Sequence, residues 1–120
     1  MRVAGLGFRA GVPEAALDAA IDAAGGAGGL DALATIADKA PDLASLAARM
    51  GLPVRAIPAD WLRGVATPTV SARITARHGT GSLAEAAALV AAGPGARVVA
   101  VRAASPCGRA TAAIAEGDGS

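Results

Sequence analysis

Near the N-terminus, three glycines and an arginine have residue types suited to binding an anion: Gly5, Gly7, Arg9 and Gly11. They follow a short apolar run and precede a predicted helix, so backbone amides there can approach a ligand closely. The Arg9 guanidinium can bind a carboxylate with two parallel hydrogen bonds. The spacing Gly-x-Gly-x-x-x-Gly departs from the dinucleotide-binding pattern. Two interpretations stay open, namely an anion site and an ordinary tight turn between strand and helix.

A second candidate site is the start of another predicted helix, at Gly81, Ser82 and Glu85. The Ser-x-x-Glu spacing predicts a capping box, in which the Ser82 hydroxyl accepts from the Glu85 amide and the Glu85 carboxylate accepts from the Ser82 amide. Capping alone explains both side chains. The functional interpretation is that unpaired amides at residues 81–83 form a second anion site.

Cationic side chains follow two of the predicted strands. Arg9 and Lys39 each follow a predicted strand, and the carboxyl ends of strands in an open α/β sheet are where ligands bind. We therefore expect both residues at one edge of the sheet. Four further cations are equally well explained as solvated surface charge: Arg73, Arg77, Arg102 and Arg109.

No complete catalytic set is present in the sequence. His78 and Glu85 are the candidates for a general base, and a polar surface position explains His78 equally well. Cys107 lies in a Pro-Cys-Gly turn without a predicted base beside it. With one cysteine and one histidine, neither a multi-cysteine zinc site nor a His-rich site is expected. We expect neither a metal nor a cofactor.

Composition narrows the function classes. The 120 residues suit one domain, and 53% hydrophobic residues disfavour disorder. An aromatic content of 2% disfavours a base-stacking module, and a net charge of +1 gives no bias toward nucleic acid or anionic membrane. The N-terminus lacks a signal-peptide pattern, and no apolar stretch is long enough to span a bilayer. We expect a cytoplasmic protein with neither nucleic-acid nor membrane partners.

The pattern of apolar residues and breakers predicts strands separated by helices. Strands are predicted at 3–8, 54–57, 97–103 and 110–115, and residues 30–37 favour a strand over a short helix. Helices are predicted from Pro13 to the glycines at 25–29, from Asp42 as N-cap to Gly51, and over 83–92. Residues 59–63 are predicted to form one helical turn. The fold class expected is α/β, as a single three-layer α/β/α domain with a mixed sheet over residues 1–116 and a polar tail at 117–120.

The order and spacing of these segments resemble CobE and the C-terminal domain of CbiG, a family of cobalamin biosynthesis proteins. The segment at 81–89 is similar to the family's Ser-Val-x-Glu-Ala-x-Ala signature, and residues 5–11 are similar to its opening Gly-x-Gly-x-Arg-x-Gly. Two departures are Phe8, where the family often has a small residue, and Val12-Pro13, where it often has Ser or Thr. The other segments that carry the resemblance are residues 34–39, 51–54 and 110–115.

The resemblance implies a role in building the corrin ring. CobE-like proteins are expected to bind, carry or protect a precorrin or corrin intermediate of the oxygen-dependent pathway. CbiG-like proteins open a lactone on a cobalt-precorrin and release acetaldehyde, and they carry N-terminal domains that these 120 residues lack. Two alternatives therefore stay open: a lactone hydrolase with Glu85 or His78 as base, and a non-catalytic subunit that docks onto another enzyme of the pathway.

Corrin intermediates are broad and apolar in the ring plane, with several carboxylates around the rim. A protein that binds them needs a smooth surface of small residues and separated anion anchors. We expect the two glycine-rich corners and the cations beside them to share one cleft. The residues predicted to bind the ligand are Gly5, Gly7, Arg9, Gly11, Lys39, Gly81, Ser82 and Glu85.

Overall fold

The computed structural model describes residues 1–119. Five strands form one sheet: β1 (Arg2–Phe8), β2 (Ala32–Ile36), β3 (Val54–Ile57), β4 (Arg97–Ala104) and β5 (Ala110–Glu116). The α-helices are α1 (Glu14–Ala23), α2 (Ala44–Met50), α3 (Ala59–Leu62), α4 (Ala72–His78) and α5 (Leu83–Ala92). A 3-10 segment, Ala37–Leu43, connects β2 to α2.

The sheet has the strand order β3-β2-β1-β5-β4 and is mixed. Strands β1, β2 and β3 run parallel, whereas β5 is antiparallel to both of its neighbours, β1 and β4. The carboxyl ends of β1 to β4 and the start of β5 therefore lie along the same edge. Sites in open α/β sheets form at this edge, because the loops that leave parallel strands converge there.

Helices cover both faces of the sheet. On one face Leu6 packs with Leu17 and Ile21 of α1 and with Leu46 of α2. On the opposite face Val3 packs with the alanines of α5 and with Leu62 of α3. Alternation along β1 sends successive side chains to the two sides, which makes two cores possible. The predicted three-layer α/β/α fold with a mixed sheet is confirmed.

Helix α5 lies directly on β1 because Gly5 has no side chain. A Cβ atom at this position would lie 2.0 Å from the Ala84 carbonyl oxygen and 2.7 Å from the Ala88 backbone nitrogen. The alanines of α5 allow the same close approach from the other side. This packing brings the N-terminal end of α5, at Ser82, to the edge where β1 ends.

Two local predictions differ from the structure. Asp42, predicted as the N-cap of α2, lies instead within the 3-10 segment and does not cap the helix. The backbone passes from the 3-10 segment into α2 through Leu43 in a helical conformation, so α2 has no separate N-terminus to cap. Helix α4 was left unassigned by the sequence pattern. Ser71 caps it, and Gly79 ends it in the left-handed conformation.

The predicted tail, residues 117–120, falls partly within the described chain. Gly117 donates a backbone hydrogen bond to the Met1 carbonyl, and Gly119 donates one to the Ala92 carbonyl. Residues 117–119 are thus held against the start of β1 and the end of α5. Ser120 lies outside the described residues. Over residues 1–119, no helix has the length and apolar character needed to cross a bilayer.

Candidate functional site

A cleft of about 650 Å³ lies at the edge of the sheet where β1, β2 and β4 end. Its walls come from four parts of the fold: the β1–α1 turn, the start of the 3-10 segment, helix α4, and the β4–β5 hairpin. The N-terminal end of α5 also borders it. The lining residues discussed below are Gly7, Phe8, Arg9, Asp38, Lys39, Ser71, Arg73, Ile74, Arg77, His78, Ser82, Leu83, Arg102, Arg109 and Thr111.

The cleft is strongly cationic. Among the described residues that line it, one carboxylate, Asp38, accompanies six cationic side chains: Arg9, Lys39, Arg73, Arg77, Arg102 and Arg109. Most of these residues are exposed, so the charges are accessible to a ligand. Positive charges gathered in one cleft repel each other and attract an anionic ligand. The attraction grows with the number of acidic groups on the ligand. The arrangement suits a ligand with several carboxylates.

Lys39 is held in place by the end of β1. Its ammonium donates a 2.7 Å hydrogen bond to the Phe8 carbonyl oxygen, and it lies 5.7 Å from the centroid of the Phe8 ring. Four residues before Lys39, within β2, the buried Thr35 hydroxyl donates a 2.8 Å hydrogen bond to the Leu6 carbonyl. These contacts join β2 and its following segment to β1. They bring Lys39 beside the turn that carries Arg9.

Helix α4 forms the wall that faces the sheet edge. Its N-cap, Ser71, accepts a hydrogen bond from the Ile74 amide, and the Ser71 amide donates a 2.7 Å hydrogen bond to the Gly81 carbonyl. The helix therefore begins and ends beside the N-terminal end of α5. Its residues Arg73 and Arg77 line the cleft, one helical turn apart.

His78 stands at the end of α4, within the cleft wall. Burial lowers the pKa of its imidazole below the ordinary value, and the neighbouring Arg77 guanidinium lowers it further. Asp38 acts in the opposite direction. The imidazole is therefore neutral near neutral pH and can accept a proton there.

Glu85 is fully buried, and its carboxylate serves the protein rather than the cleft surface. One oxygen accepts hydrogen bonds from the Thr69 amide at 3.0 Å and the Thr69 hydroxyl at 2.8 Å, and the other accepts from the Arg102 amide at 2.8 Å. Of the predicted capping box, only the bond from the Glu85 amide to the Ser82 hydroxyl is formed. The return bond to the Ser82 amide is absent because the carboxylate is directed to Thr69 and Arg102.

The structure brings some of the sequence-predicted site residues together. Gly7, Arg9, Lys39, Ser82 and His78 all line the cleft. The two corners that we expected to meet, the β1–α1 turn and the N-terminal end of α5, therefore do border one cavity.

Four predicted site residues do not line the cleft. Gly5 and Glu85 are buried beneath it, against α5 and β4 respectively. Gly81 packs against the preceding loop, where a Cβ atom would lie 2.7 Å from the Thr67 hydroxyl oxygen. Gly11 is exposed in the turn with a φ of 81°. Close packing and a left-handed turn account for these four positions in the structure.

Sequence reasoning left four lining cations out of the proposed site: Arg73, Arg77, Arg102 and Arg109. Arg73 and Arg77 are four residues apart, a spacing that places two side chains on one face of a helix, but the helix itself was not assigned. Arg109 precedes β5, whose antiparallel pairing with β1 sets its start beside Phe8. If the β1–β5 pairing had been predicted, Arg109 would have been expected at the same edge as Arg9.

Cys107 is exposed in the β4–β5 turn, next to the lining residue Gly108. Its Sγ atom lies 3.3 Å from the Ser105 Oγ atom. The Ser105 hydroxyl lowers the pKa of the thiol, with a further contribution from the backbone of Arg109. Across residues 1–119, three or more His, Cys, Asp or Glu side chains nowhere form a group able to hold a metal ion.

Comparison with known proteins places the chain in a family. Residues 2–115 match the family described as cobalamin synthesis G C-terminus. The crystal structure of CobE, a protein from the cobalamin biosynthetic pathway, aligns with a TM-score of 0.74 and 30% identity, covering 96% of this chain and 89% of that chain. The cobalamin biosynthesis protein chiG from Agrobacterium tumefaciens aligns with a TM-score of 0.72 and 36% identity, covering 98% and 99%.

A third structure supports the fold alone. A cobalamin biosynthesis protein G homolog from Sulfolobus solfataricus is 17% identical, with a TM-score of 0.72 over 95% of this chain and 36% of that chain. No curated protein matches the sequence significantly. The family match spans almost the whole chain, and two solved structures reach 30% identity or more. The chain therefore belongs to the CobE/CbiG C-terminal family of cobalamin biosynthesis proteins.

Proposed function

We propose that this protein binds a precorrin or corrin intermediate of cobalamin biosynthesis in the cationic cleft. The observation that carries the proposal is the convergence of six cationic side chains, from four separate parts of the fold, on one cavity. Membership of the family indicates the pathway, and the positive charge of the cleft indicates a ligand with several acidic groups. A ring fringed with carboxylates has charges that are separated in space, and cations on several walls can reach them at the same time.

The floor of the cleft suits a broad ring. Gly7 and Ala110 are small, and Phe8, Ile36 and Leu83 add apolar surface between the cations. A ring with an apolar plane can rest on such a surface while its acidic rim meets the arginines. The N-terminal end of α5 adds an uncharged anchor, because the first-turn amides of a helix carry a partial positive charge. Ser82 and Leu83 bring that end to the cleft.

The likeness to CobE supports a proposal about the route in which the protein works. The chain aligns with 89% of the CobE chain at 30% identity. We propose that the protein works in the oxygen-dependent pathway, as the resemblance to CobE-like proteins implies, and that it carries or protects an intermediate between enzymes. Binding without turnover is the activity that this role requires.

Titration with a hydrogenobyrinic-acid-type corrin tests the proposal. The visible spectrum of the corrin is expected to change on binding, and the affinity is expected to fall as salt is added, because the attraction is between accessible charges. The same corrin with its carboxylates methylated is the matched control and is expected to bind at least about tenfold more weakly. Absence of binding at high micromolar corrin, or equal binding of the ester, would contradict the proposal.

One observation favours a second candidate, a hydrolase that opens a lactone on a precorrin. His78 lines the cleft with a lowered pKa, so a neutral imidazole is available there as a general base. The amides at the start of α5 would stabilise the oxyanion. Glu85 is excluded from the role of base by its burial and its three protein donors. Turnover of a lactone-bearing precorrin that is lost in His78→Gln would favour the hydrolase over a carrier.

A further inference from the structure

We propose that Glu85 is a positioning residue, whose buried carboxylate sets the distance between two walls of the cleft without touching the ligand. One wall is the strand β4 at Arg102, and the other is the loop that leads into α4. The consequence for ligand binding rests on the proposed function, whereas the consequence for the two walls stands on the structure alone.

The contacts of Glu85 cross the fold. Its Oε2 atom accepts a 2.8 Å hydrogen bond from the Arg102 amide, and its Oε1 atom accepts from the Thr69 amide at 3.0 Å and the Thr69 hydroxyl at 2.8 Å. The partners are sixteen and seventeen residues away, on opposite sides of Glu85 in the sequence. A single side chain of α5 thus joins a loop and a strand that are far apart in the sequence.

Each wall carries cleft cations a short distance from its contact with Glu85. Arg102 itself lines the cleft, and a hydrogen bond to its backbone amide restricts where its side chain begins. Thr69 lies two residues before Ser71, the N-cap of α4, and α4 carries Arg73, Arg77 and His78. Movement of Thr69 would therefore move the start of the helix that carries these groups.

The chemistry of the site requires a carboxylate. Three donors converge on the two oxygens, and an ionised carboxylate only accepts hydrogen bonds, so all three are satisfied. A glutamine has one oxygen, and its amino group would face either the Arg102 amide or the Thr69 donors with a donor of its own. Such a buried clash between donors costs more than the loss of one hydrogen bond.

The groups that donate hydrogen bonds to Glu85 are uncharged, so the cationic side chains of the cleft remain available to a ligand. In the part of the chain that the structure describes, Glu85 forms no ion pair, and its partners are two backbone amides and a hydroxyl. The guanidinium of Arg102 is not used to neutralise Glu85, although its amide is bound to it. The buried carboxylate can therefore shape the cleft without an ion pair to the cations that line it.

Two variants separate position from charge. Glu85→Gln removes the charge and one acceptor, whereas Glu85→Asp keeps the charge but is one methylene too short to reach both Thr69 and Arg102. Thr35→Val is the matched control, since it removes another buried hydrogen bond, to the Leu6 carbonyl, away from both walls. Amide hydrogen exchange at Thr69 and Arg102 is measured without ligand, and affinity is measured with the hydrogenobyrinic-acid-type corrin.

In both Glu85 variants we expect the Thr69 and Arg102 amides to exchange at least about tenfold faster while β1 and β2 stay protected, and corrin affinity to fall about tenfold. We expect Thr35→Val to lower stability and to leave exchange at the Thr69 and Arg102 amides as in the wild type. Wild-type affinity in Glu85→Asp would show that charge alone matters. Wild-type exchange at both amides in a folded variant would overturn the proposal outright.

Two further outcomes are decided by the same measurements. If Glu85→Gln does not fold, Thr69→Val removes one donor only, and unchanged exchange at Arg102 together with unchanged affinity overturns the proposal. If the wild-type protein does not bind the corrin, the proposed function fails. The exchange rates at Thr69 and Arg102 then still decide whether Glu85 holds the two walls.

Discussion

The ammonium of Lys39 donates a 2.7 Å hydrogen bond to the carbonyl oxygen of Phe8, the last residue of β1. The bond joins the segment that follows β2 to the turn that follows β1, so that two neighbouring βα connections form one side of the cleft. Since three protons are available on the ammonium, one bond to the protein leaves others for a ligand. Lys39 thus has both a structural partner and a place in the lining.

Replacement of Lys39 by methionine is expected to weaken corrin binding about tenfold, because one charge-assisted contact is lost. The replacement keeps an unbranched apolar stem over Phe8, so a small change in stability is expected. Arg55→Met is the control, since Arg55 is an exposed cation on β3 that does not line the cleft. Equal loss of affinity in both variants would mean that only the net charge of the protein matters.

Gly5→Ala is expected to destabilise the fold by about 3 kcal/mol, because its Cβ atom would overlap the backbone of α5. The nearest atom, the Ala84 carbonyl oxygen, belongs to a helix backbone and cannot rotate away. Gly28→Ala is the matched control, as no atom lies within 4 Å of a Cβ at that loop position. Urea denaturation of the two variants compares them directly, and equal midpoints would contradict the packing argument.

The affinity for a corrin carboxylate is expected to rise as pH falls from about 8 to about 6. In the free protein burial and Arg77 lower the pKa of His78, and the carboxylates of a bound ligand raise it, so binding takes up a proton. The ligand carboxylates stay ionised over this range. His78→Gln is expected to remove the pH dependence. A slope that persists in His78→Gln would assign the proton to another group.

The same lowered pKa has a consequence for stability without ligand. The unfolded chain binds a proton at His78 more readily than the folded chain does. Stability is therefore unaffected well above the ordinary histidine pKa of about 6.5 and falls as pH drops below it toward the folded value. The charged groups that set the folded value, besides burial, are Arg77, Asp38, Lys39 and Arg63. Unfolding of the wild type and His78→Gln at both ends of the range measures the difference.

Cys107 is expected to be alkylated faster than an ordinary thiol at neutral pH, because the Ser105 hydroxyl lowers its pKa and the thiolate is the reactive form. Ser105→Ala is expected to shift the pH profile of iodoacetamide labelling upward. The midpoint of that profile, measured in both proteins, is the readout. An unchanged midpoint in Ser105→Ala would mean that the hydroxyl does not stabilise the thiolate.

Much of the fold follows from local pattern. The strand at 97–103 is recognisable from its valines, and α5 from the Ser82 cap and the Gly93-Pro94-Gly95 stop, because both depend on residues close in sequence. The resemblance to the CobE/CbiG family also rests on such segments, in their order along the chain. Helix α4 was missed because none of its residues is buried, so it lacks the apolar stripe from which a helix is recognised.

The sequence alone determined the five strands, the helices other than α4, the α/β class, the expectation that Arg9 and Lys39 share an edge, and the cap at Ser82. Only the tertiary structure decided that Arg73, Arg77, Arg102 and Arg109 join them in one cleft. It also decided that Glu85 binds Thr69 and Arg102 instead of completing a capping box. The reason is that capping and strand patterns act over a few residues. The position of a buried carboxylate and the gathering of distant charges depend instead on which elements pack together.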